Sequence, residues 1–179
     1  MPPVIETERL RLRSHAPADL DVCAAMWGDP AVTRFIGGRP FTREEVWARM
    51  LRYAGHWLWL NYGFWAIEET DTGRFVGEAG FGDFRRQIDP PLTDIPEIGW
   101  VFAPPAQGKG YATEAVSAVV AWGEKRFGPV RTACIIDPGN TASIRVAEKC
   151  GYREWQRTEY HGSPTILFER NPGSLTGTS

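Results

Sequence analysis

Gly108 and Gly110 stand just behind an alternating stretch and just ahead of a helical one. A backbone that turns on glycine has no Cβ in the way, and the first amides of a helix have no partner within it. Those N–H groups, with the positive end of the helix dipole, suit an anion, best a phosphate or pyrophosphate. The same two glycines would also serve a tight turn and nothing more. Spacing excludes two other phosphate loops. A P-loop needs four residues between its glycines and a Lys-Ser/Thr behind them, and the dinucleotide fingerprint needs three glycines. The run Gln107-Gly108-Lys109-Gly110-Tyr111-Ala112 offers neither.

The elements around this loop must hold it still. Glu97, Gly99 and Val101 alternate with Ile98, Trp100 and Phe102, the two-residue period of a strand. From Ala112 the period changes, with Ala112, Ala115, Val116, Val119 and Trp122 on one helical stripe. Phe127-Gly128-Pro129 ends that helix. Asn140, after the turn Asp137-Pro138-Gly139, is placed to cap a helix from Thr141 to Cys150.

Composition bounds the rest. The 179 residues suit a single domain over 1–170, with a Gly/Ser/Thr-rich disordered tail over 171–179. A net charge of −2 gives no basic field for nucleic acid. The cysteines Cys23, Cys134 and Cys150 are odd in number and unrelated in spacing, which points to reduced thiols and a cytoplasmic protein. No Cys/His cluster has metal-ligand spacing, so no metal is expected; no apolar run is long enough for a membrane.

In order, Arg9–Arg13 alternates as a first strand. Pro17 opens a helix to about Trp27, and Asp29-Pro30 a short one to about Phe35. Thr42-Arg43-Glu44-Glu45 is a capping box at the head of a third helix. That helix carries two apolar stripes, Val46/Met50/Tyr53/Trp57 and Trp47/Leu51/Ala54/Leu58. The second stripe reads as wider core contact, with a pocket wall or a homodimer face as alternatives. Strands follow at 63–68 and 74–84, an irregular loop at 85–95, and a short strand at 131–136. A final hairpin of 152–157 and 165–169 turns around 161–164.

With this order in view, Gln107-x-x-Gly110-x-Ala112 resembles the acyl-CoA pyrophosphate loop of the GNAT acetyltransferases. The segment from Asn140 through Ser143 to Glu148-Lys149-Cys150-Gly151-Tyr152, and the opening Thr7-Glu8-Arg9-Leu10-Arg11-Leu12-Arg13, are similar to the RimJ/RimL subgroup. The resemblance implies an α/β (α+β) GNAT fold: a mixed, mostly antiparallel sheet of six to seven strands, flanked by helices and splayed at its centre to bind acyl-CoA. It implies an N-acetyltransferase moving acetyl from acetyl-CoA to a primary amine, on a protein N-terminus or a small molecule. The alternatives are a non-catalytic acyl-CoA-binding or sensing domain, or another kind of nucleotide-binding module.

The resemblance also assigns roles. An alkyl ammonium with a pKa of about 10 is no nucleophile at neutral pH, so a base is needed. Glu97 is the candidate, with burial expected to raise its pKa; a charged residue at a water-facing strand edge is the plainer alternative. Ser143 is a candidate near the thioester sulfur, or a first-turn serine satisfying backbone. The cofactor-binding set is the main chain of Trp100, Val101 and Phe102, the loop Gln107, Gly108, Lys109, Gly110, Tyr111, Ala112 and Thr113, and Asn140 with Ser143. Lys109 would meet a phosphate or stand as a solvated charge. The family's tyrosine acid is missing, because Ala147 holds its position. For the acceptor, Glu68, Glu69, Glu78 and Asp83 are acids that could receive an ammonium or lie on solvated faces. Trp47, Trp59 and Phe84 read as core, or as an aromatic wall.

Overall fold

A computed structural model describes residues 2–173 of the chain. The strands are β1 (Ile5–Glu6), β2 (Leu10–Arg13), β3 (Phe64–Glu69), β4 (Phe75–Gly82), β5 (Glu97–Phe102), β6 (Thr132–Ile136), β7 (Arg153–Tyr160) and β8 (Ser163–Arg170). They form one sheet of eight strands in the order β1-β2-β3-β4-β5-β6-β8-β7. Every pairing is antiparallel except β5 with β6. The expectation of six to seven strands misses β1, whose two residues are too few to show a period.

Helices α1 (Leu20–Trp27), α2 (Pro30–Thr33) and α3 (Arg43–Leu60) precede β3, and α4 (Tyr111–Phe127) and α5 (Thr141–Lys149) flank β6. The sheet separates two cores. On one side, α4 seats Ala115, Val116 and Val119 against Leu12, Trp65, Ala79, Phe81 and Ile98. Val116 and Val119 are fully buried, each worth roughly 1.5–3 kcal/mol of apolar transfer. On the other side, Cys23, Met26 and Trp27 of α1 meet Val46 and Met50 of α3 over Val101. Alternation along β5 therefore sends Ile98, Trp100 and Phe102 to α4, and Glu97, Gly99 and Val101 to α1 and α3.

Local signals set the helix starts. Thr42 Oγ1 accepts from Glu45 N at 3.2 Å and Glu45 returns the bond to Thr42 N at 2.8 Å, completing the capping box. Asp29 Oδ1 caps α2 through Ala31 N. Pro17 opens a short 3₁₀ turn before α1 rather than α1 itself. The last hairpin is longer than expected, because His161 and Gly162 both take positive φ (51° and 75°) and close it in two residues. At Gly80, a side chain would collide with the Gly63 carbonyl and Phe64 Cα.

The second stripe of α3 is not core. Leu51 and Leu58 are 53% and 76% exposed, and Trp47 and Ala54 are exposed too; Trp59, beside the stripe, is 83% exposed. Its first stripe alone reaches the sheet, which suffices to hold a surface helix. Among the described residues no helix is long and apolar enough to cross a membrane. Cys23, Cys134 and Cys150 are free thiols and buried. The expected tail lies, from residue 174 on, outside the described residues.

Candidate active site

The loop between β5 and α4 begins with a 3₁₀ turn at Pro104–Ala106, braced by Gln107 Nε2 donating to Phe102 O at 3.1 Å. Gly108 and Gly110 both take left-handed φ, 77° and 79°, which only glycine adopts without strain. Gly110 is the N-cap of α4 and brings no side chain to cover the helix end. The first helical bond runs from Glu114 N to Gly110 O at 3.1 Å, so the amides ahead of it, from Gly108 to Thr113, are left to a ligand. Gln107 to Gly110 are exposed; a Cβ at Gly108 would meet nothing within 4 Å, and one at Gly110 only Arg9 Nη2, at 3.4 Å. Its expected members Gln107, Gly108, Lys109, Gly110, Tyr111, Ala112 and Thr113 thus form one continuous bend.

Side chains from far away brace that bend. Arg9 Nη1 donates to Lys109 O at 2.8 Å, while its Nη2 pairs with Glu114 Oε2 at 2.7 Å. Tyr111 OH donates to Glu69 Oε1 at 3.0 Å. Lys109 Nζ lies 3.7 Å from that same oxygen, so its charge leans on Glu69. Hydrogen bonds from Arg74 and Thr72 hold Glu69 down to about 2.

Upstream of the loop the sheet opens. β5 and β6 are in register only at Glu97–Ala133, with Ala133 N donating to Pro96 O at 3.1 Å. Beyond that pair the strands diverge, and a cavity of about 560 Å³ lies along the opening. Trp100, Val101, Asn140 and Ser143 line it. Phe102 does not; its ring packs toward α4 and its carbonyl holds Gln107. Asn140 caps α5, its Oδ1 accepting from Ser143 N at 3.2 Å. The Asn140 amide nitrogen and Ser143 Oγ make no hydrogen bond among the described residues, so both can serve a ligand.

Glu97 lines the far end of the cavity and is only 5% exposed, so it is not a water-facing edge residue. Arg86 grips it in a fork, Nε to Oε2 at 2.7 Å and Nη2 to Oε1 at 2.8 Å. Arg86 Nη1 also donates to Tyr160 OH at 3.2 Å. Burial works against the Arg86 charge, but the bond and field of Glu97 prevail and raise its pKa. The expected base is therefore a paired carboxylate. Each oxygen still has a lone pair unused by the fork, available to an amine or a water.

The acids expected to receive an ammonium are elsewhere. Glu78 is fully buried and accepts from Trp27 Nε1 at 3.0 Å and Tyr53 OH at 3.3 Å, with His15 Nε2 at 3.1 Å. Burial alone would push its carboxyl up, yet the bond and charge of His15, with Trp27 and Arg49, hold it below the usual range. His15, Cys23 and Glu78 place ligand-type atoms within 4.8 Å of one another, and there Glu78 is already the shared acceptor. Glu68 pairs with Arg13, Glu69 with Arg74, and Asp83 with Arg85. None of the four lines the large cavity. Of the aromatic candidates Phe84 does line it, while Trp47 and Trp59 face solvent. Tyr152 OH is buried against Thr132 Oγ1 at 2.8 Å and Ala147 is sealed in the core, so neither supplies an acid. The tyrosines in the cavity wall are Tyr53 and Tyr160.

Sequence reasoning missed the arginines. Arg34, Arg49, Arg52 and Arg86 line the cavity where acids were sought. The i, i+3 spacing of Arg49 and Arg52 already placed them on one helix face. Nothing in the spacing linked Arg86, in an irregular loop, to Glu97.

Comparison with known proteins agrees with this geometry. The family described as "Acetyltransferase (GNAT) domain" matches residues 9–153. The uncharacterized protein YkkB of Bacillus subtilis (strain 168) is 35% identical over 170 residues, 92% of this chain and 93% of its own. A structure described as a GnaT-family acetyltransferase from Bordetella pertussis has a TM-score of 0.83 at 31% identity, covering 94% of this chain and 99% of that one. RimL, a ribosomal L7/L12 alpha-N-protein acetyltransferase solved with coenzyme A, has a TM-score of 0.77, covering 96% and 99%; at 15% identity that likeness is one of fold. A match over so much of the chain settles its family: this protein belongs to the GNAT acetyltransferases, enzymes that draw their acyl group from acetyl-CoA.

Proposed function

We propose that this chain is an N-acetyltransferase that passes acetyl from acetyl-CoA to a primary amine, with Glu97 accepting the amine's proton. The observation that carries the reading is the cleft itself. It runs from Asn140 and Ser143 to a buried carboxylate at Glu97, along the edge where β5 leaves β6. The bound thioester supplies an already activated acyl group, so no covalent enzyme intermediate is needed.

Each residue then has a task. The amides of Gly108 to Thr113 receive the pyrophosphate, and Arg9 holds the bend through Lys109 O. The free edge of β5 at Trp100 to Phe102 receives the pantetheine amides as a further strand would. The Asn140 amide and Ser143 Oγ are available to the pantetheine end and to the leaving sulfur. Glu97, oriented by Arg86, takes the ammonium proton directly or through a water. A lysine-like amine at pH 7 is neutral only to about one part in 10³, so this step is worth a dedicated group.

The test is turnover. Purified protein is incubated with acetyl-CoA and a broad panel of primary amines, and free coenzyme A thiol is followed. Release that depends on amine supports the reading. Tight acetyl-CoA binding with no release on any amine would replace it with a non-catalytic acyl-CoA-binding domain.

A further inference from the structure

The acceptor end of the cavity carries more positive charge than it balances. Arg86 spends its charge on Glu97. Arg49 lies 4.0 Å over the Trp27 ring and 4.9 Å over Phe41, with Nη1 donating to Tyr53 OH at 3.4 Å. Its Nε is buried with no partner, and Glu78 behind Tyr53 balances it only at second hand. Arg52, one turn along α3, makes no ion pair among the described residues and feels only the field of Glu97, already gripped by Arg86; its guanidinium rests 5.2 Å from the Phe84 ring. Arg86 lies 4.8 Å from that same ring, so Arg52 and the Arg86–Glu97 fork flank one aromatic surface.

Such an arrangement is costly in the empty protein. Arg52 is open to the water of the cleft yet walled by protein, and burial, followed by repulsion from Arg49 and Arg86, lowers its pKa. Like charges at i, i+3 on a helix destabilise it, and the half-buried Arg49, its Nε without a partner, is a guanidinium that a ligand would complete. The phosphates of acetyl-CoA do not explain them. Their loop follows the other end of β5, and a strand of six residues spans roughly 17 Å from Glu97 to Phe102.

On the reading that this is an N-acetyltransferase, we infer that its acceptor is a small amine carrying its own oxyanion, a carboxylate or phosphate. Arg52, with Arg49, receives that oxyanion while the nitrogen faces Glu97. A cavity of about 560 Å³ that must also admit the acyl-pantetheine end leaves room for a molecule of amino-acid size. Guanidinium forks match planar carboxylates and phosphates, and Phe84 gives the carbon skeleton an apolar wall.

The experiment uses matched amines. Amino acids are set against their amides and phosphoethanolamine against ethanolamine, with spermidine and an acidic tetrapeptide alongside, in the free-thiol assay. The corresponding N-acetylated products are titrated into the coenzyme A-loaded protein, followed by tryptophan fluorescence. Wild type should prefer the anionic member of each pair by about 10- to 100-fold in kcat/KM, and bind its product correspondingly tighter. Whether carboxylate or phosphate wins identifies the anion. Arg52→Gln should collapse that ratio to within about 3-fold, and Arg52→Lys, which keeps the charge but not the fork, should fall between the two. Arg52 makes no hydrogen bond or ion pair among the described residues and is repelled by Arg49 and Arg86, so the melting temperature of Arg52→Gln should be at or above that of wild type. Turnover that favours neutral amines, spermidine or the tetrapeptide would overturn the anionic small acceptor and leave acetyl transfer standing. Silence on every amine would count against acetyl transfer, and the product titration would still decide the anion site. An unchanged ratio in Arg52→Gln would overturn it outright.

Discussion

Replacing Glu97 by glutamine removes the base, and with it one charge of the pair with Arg86. The two side chains have nearly the same shape, and glutamine keeps one carbonyl oxygen for the Arg86 fork, whose two contacts are now 2.7 and 2.8 Å. General-base assistance is worth about 10²–10⁴-fold, or roughly 3–5 kcal/mol at 1.36 kcal/mol per decade. We expect kcat to fall by that factor. Coenzyme A affinity should stay within about 2-fold, because the pyrophosphate loop follows the opposite end of β5. Losing one charge-assisted bond to Arg86 costs about 1.5–3 kcal/mol of stability, so a melting curve must accompany the kinetics. The readout is thiol release at saturating acetyl-CoA over a range of pH. Below the amine's pKa the neutral fraction rises about tenfold per pH unit, so alkaline pH should recover much of the variant's rate. A folded Glu97→Gln enzyme within about 3-fold of wild type at neutral pH would refute the assignment of the base.

Two further outcomes follow from the same geometry. Gly110→Val puts a β-branched residue at φ 79°, with its Cβ 3.4 Å from Arg9 Nη2, and should abolish coenzyme A binding by calorimetry while the rest of the fold melts normally. Unaltered affinity would show that the phosphates bind elsewhere. Glu78→Gln sets an amide against donors from Trp27, Tyr53 and His15 and should cost about 3–5 kcal/mol at neutral pH, read by urea unfolding. Because the folded pKa of Glu78 lies below the ordinary value of 4.5, its contribution is complete above that value and lost as pH falls through the folded pKa. The gap between wild type and variant should therefore narrow in acid; a gap that widens there would contradict the sign.

What could be read from the chain follows the range of the forces involved. The glycine loop, the Asn140 cap, the Thr42–Glu45 box and the stripe of α4 are local, and spacing alone exposes them. The partners of charged groups are not local. Glu97 meets Arg86 across an irregular loop, Arg9 reaches Glu114 from 105 residues away, and Glu78 is sealed by donors from α1 and α3. An acidic residue in a strand reads the same whether it faces a ligand or a buried tryptophan. That is why four acids could be read either as ammonium receivers or as solvated charges, while the cavity is lined by arginine. The second stripe of α3 was misread for a related reason: periodicity reports an apolar face but not what covers it.

The central claim is that free amides at the head of α4 hold the coenzyme's pyrophosphate. At 20.1 kDa the protein suits solution NMR, and titrating coenzyme A into labelled protein observes those amides one by one. The largest shifts and the strongest exchange protection are expected at Gly108 through Thr113, with smaller changes along Trp100 to Phe102. Saturating coenzyme A that leaves Gly108 to Thr113 unmoved, with shifts confined elsewhere, would contradict it.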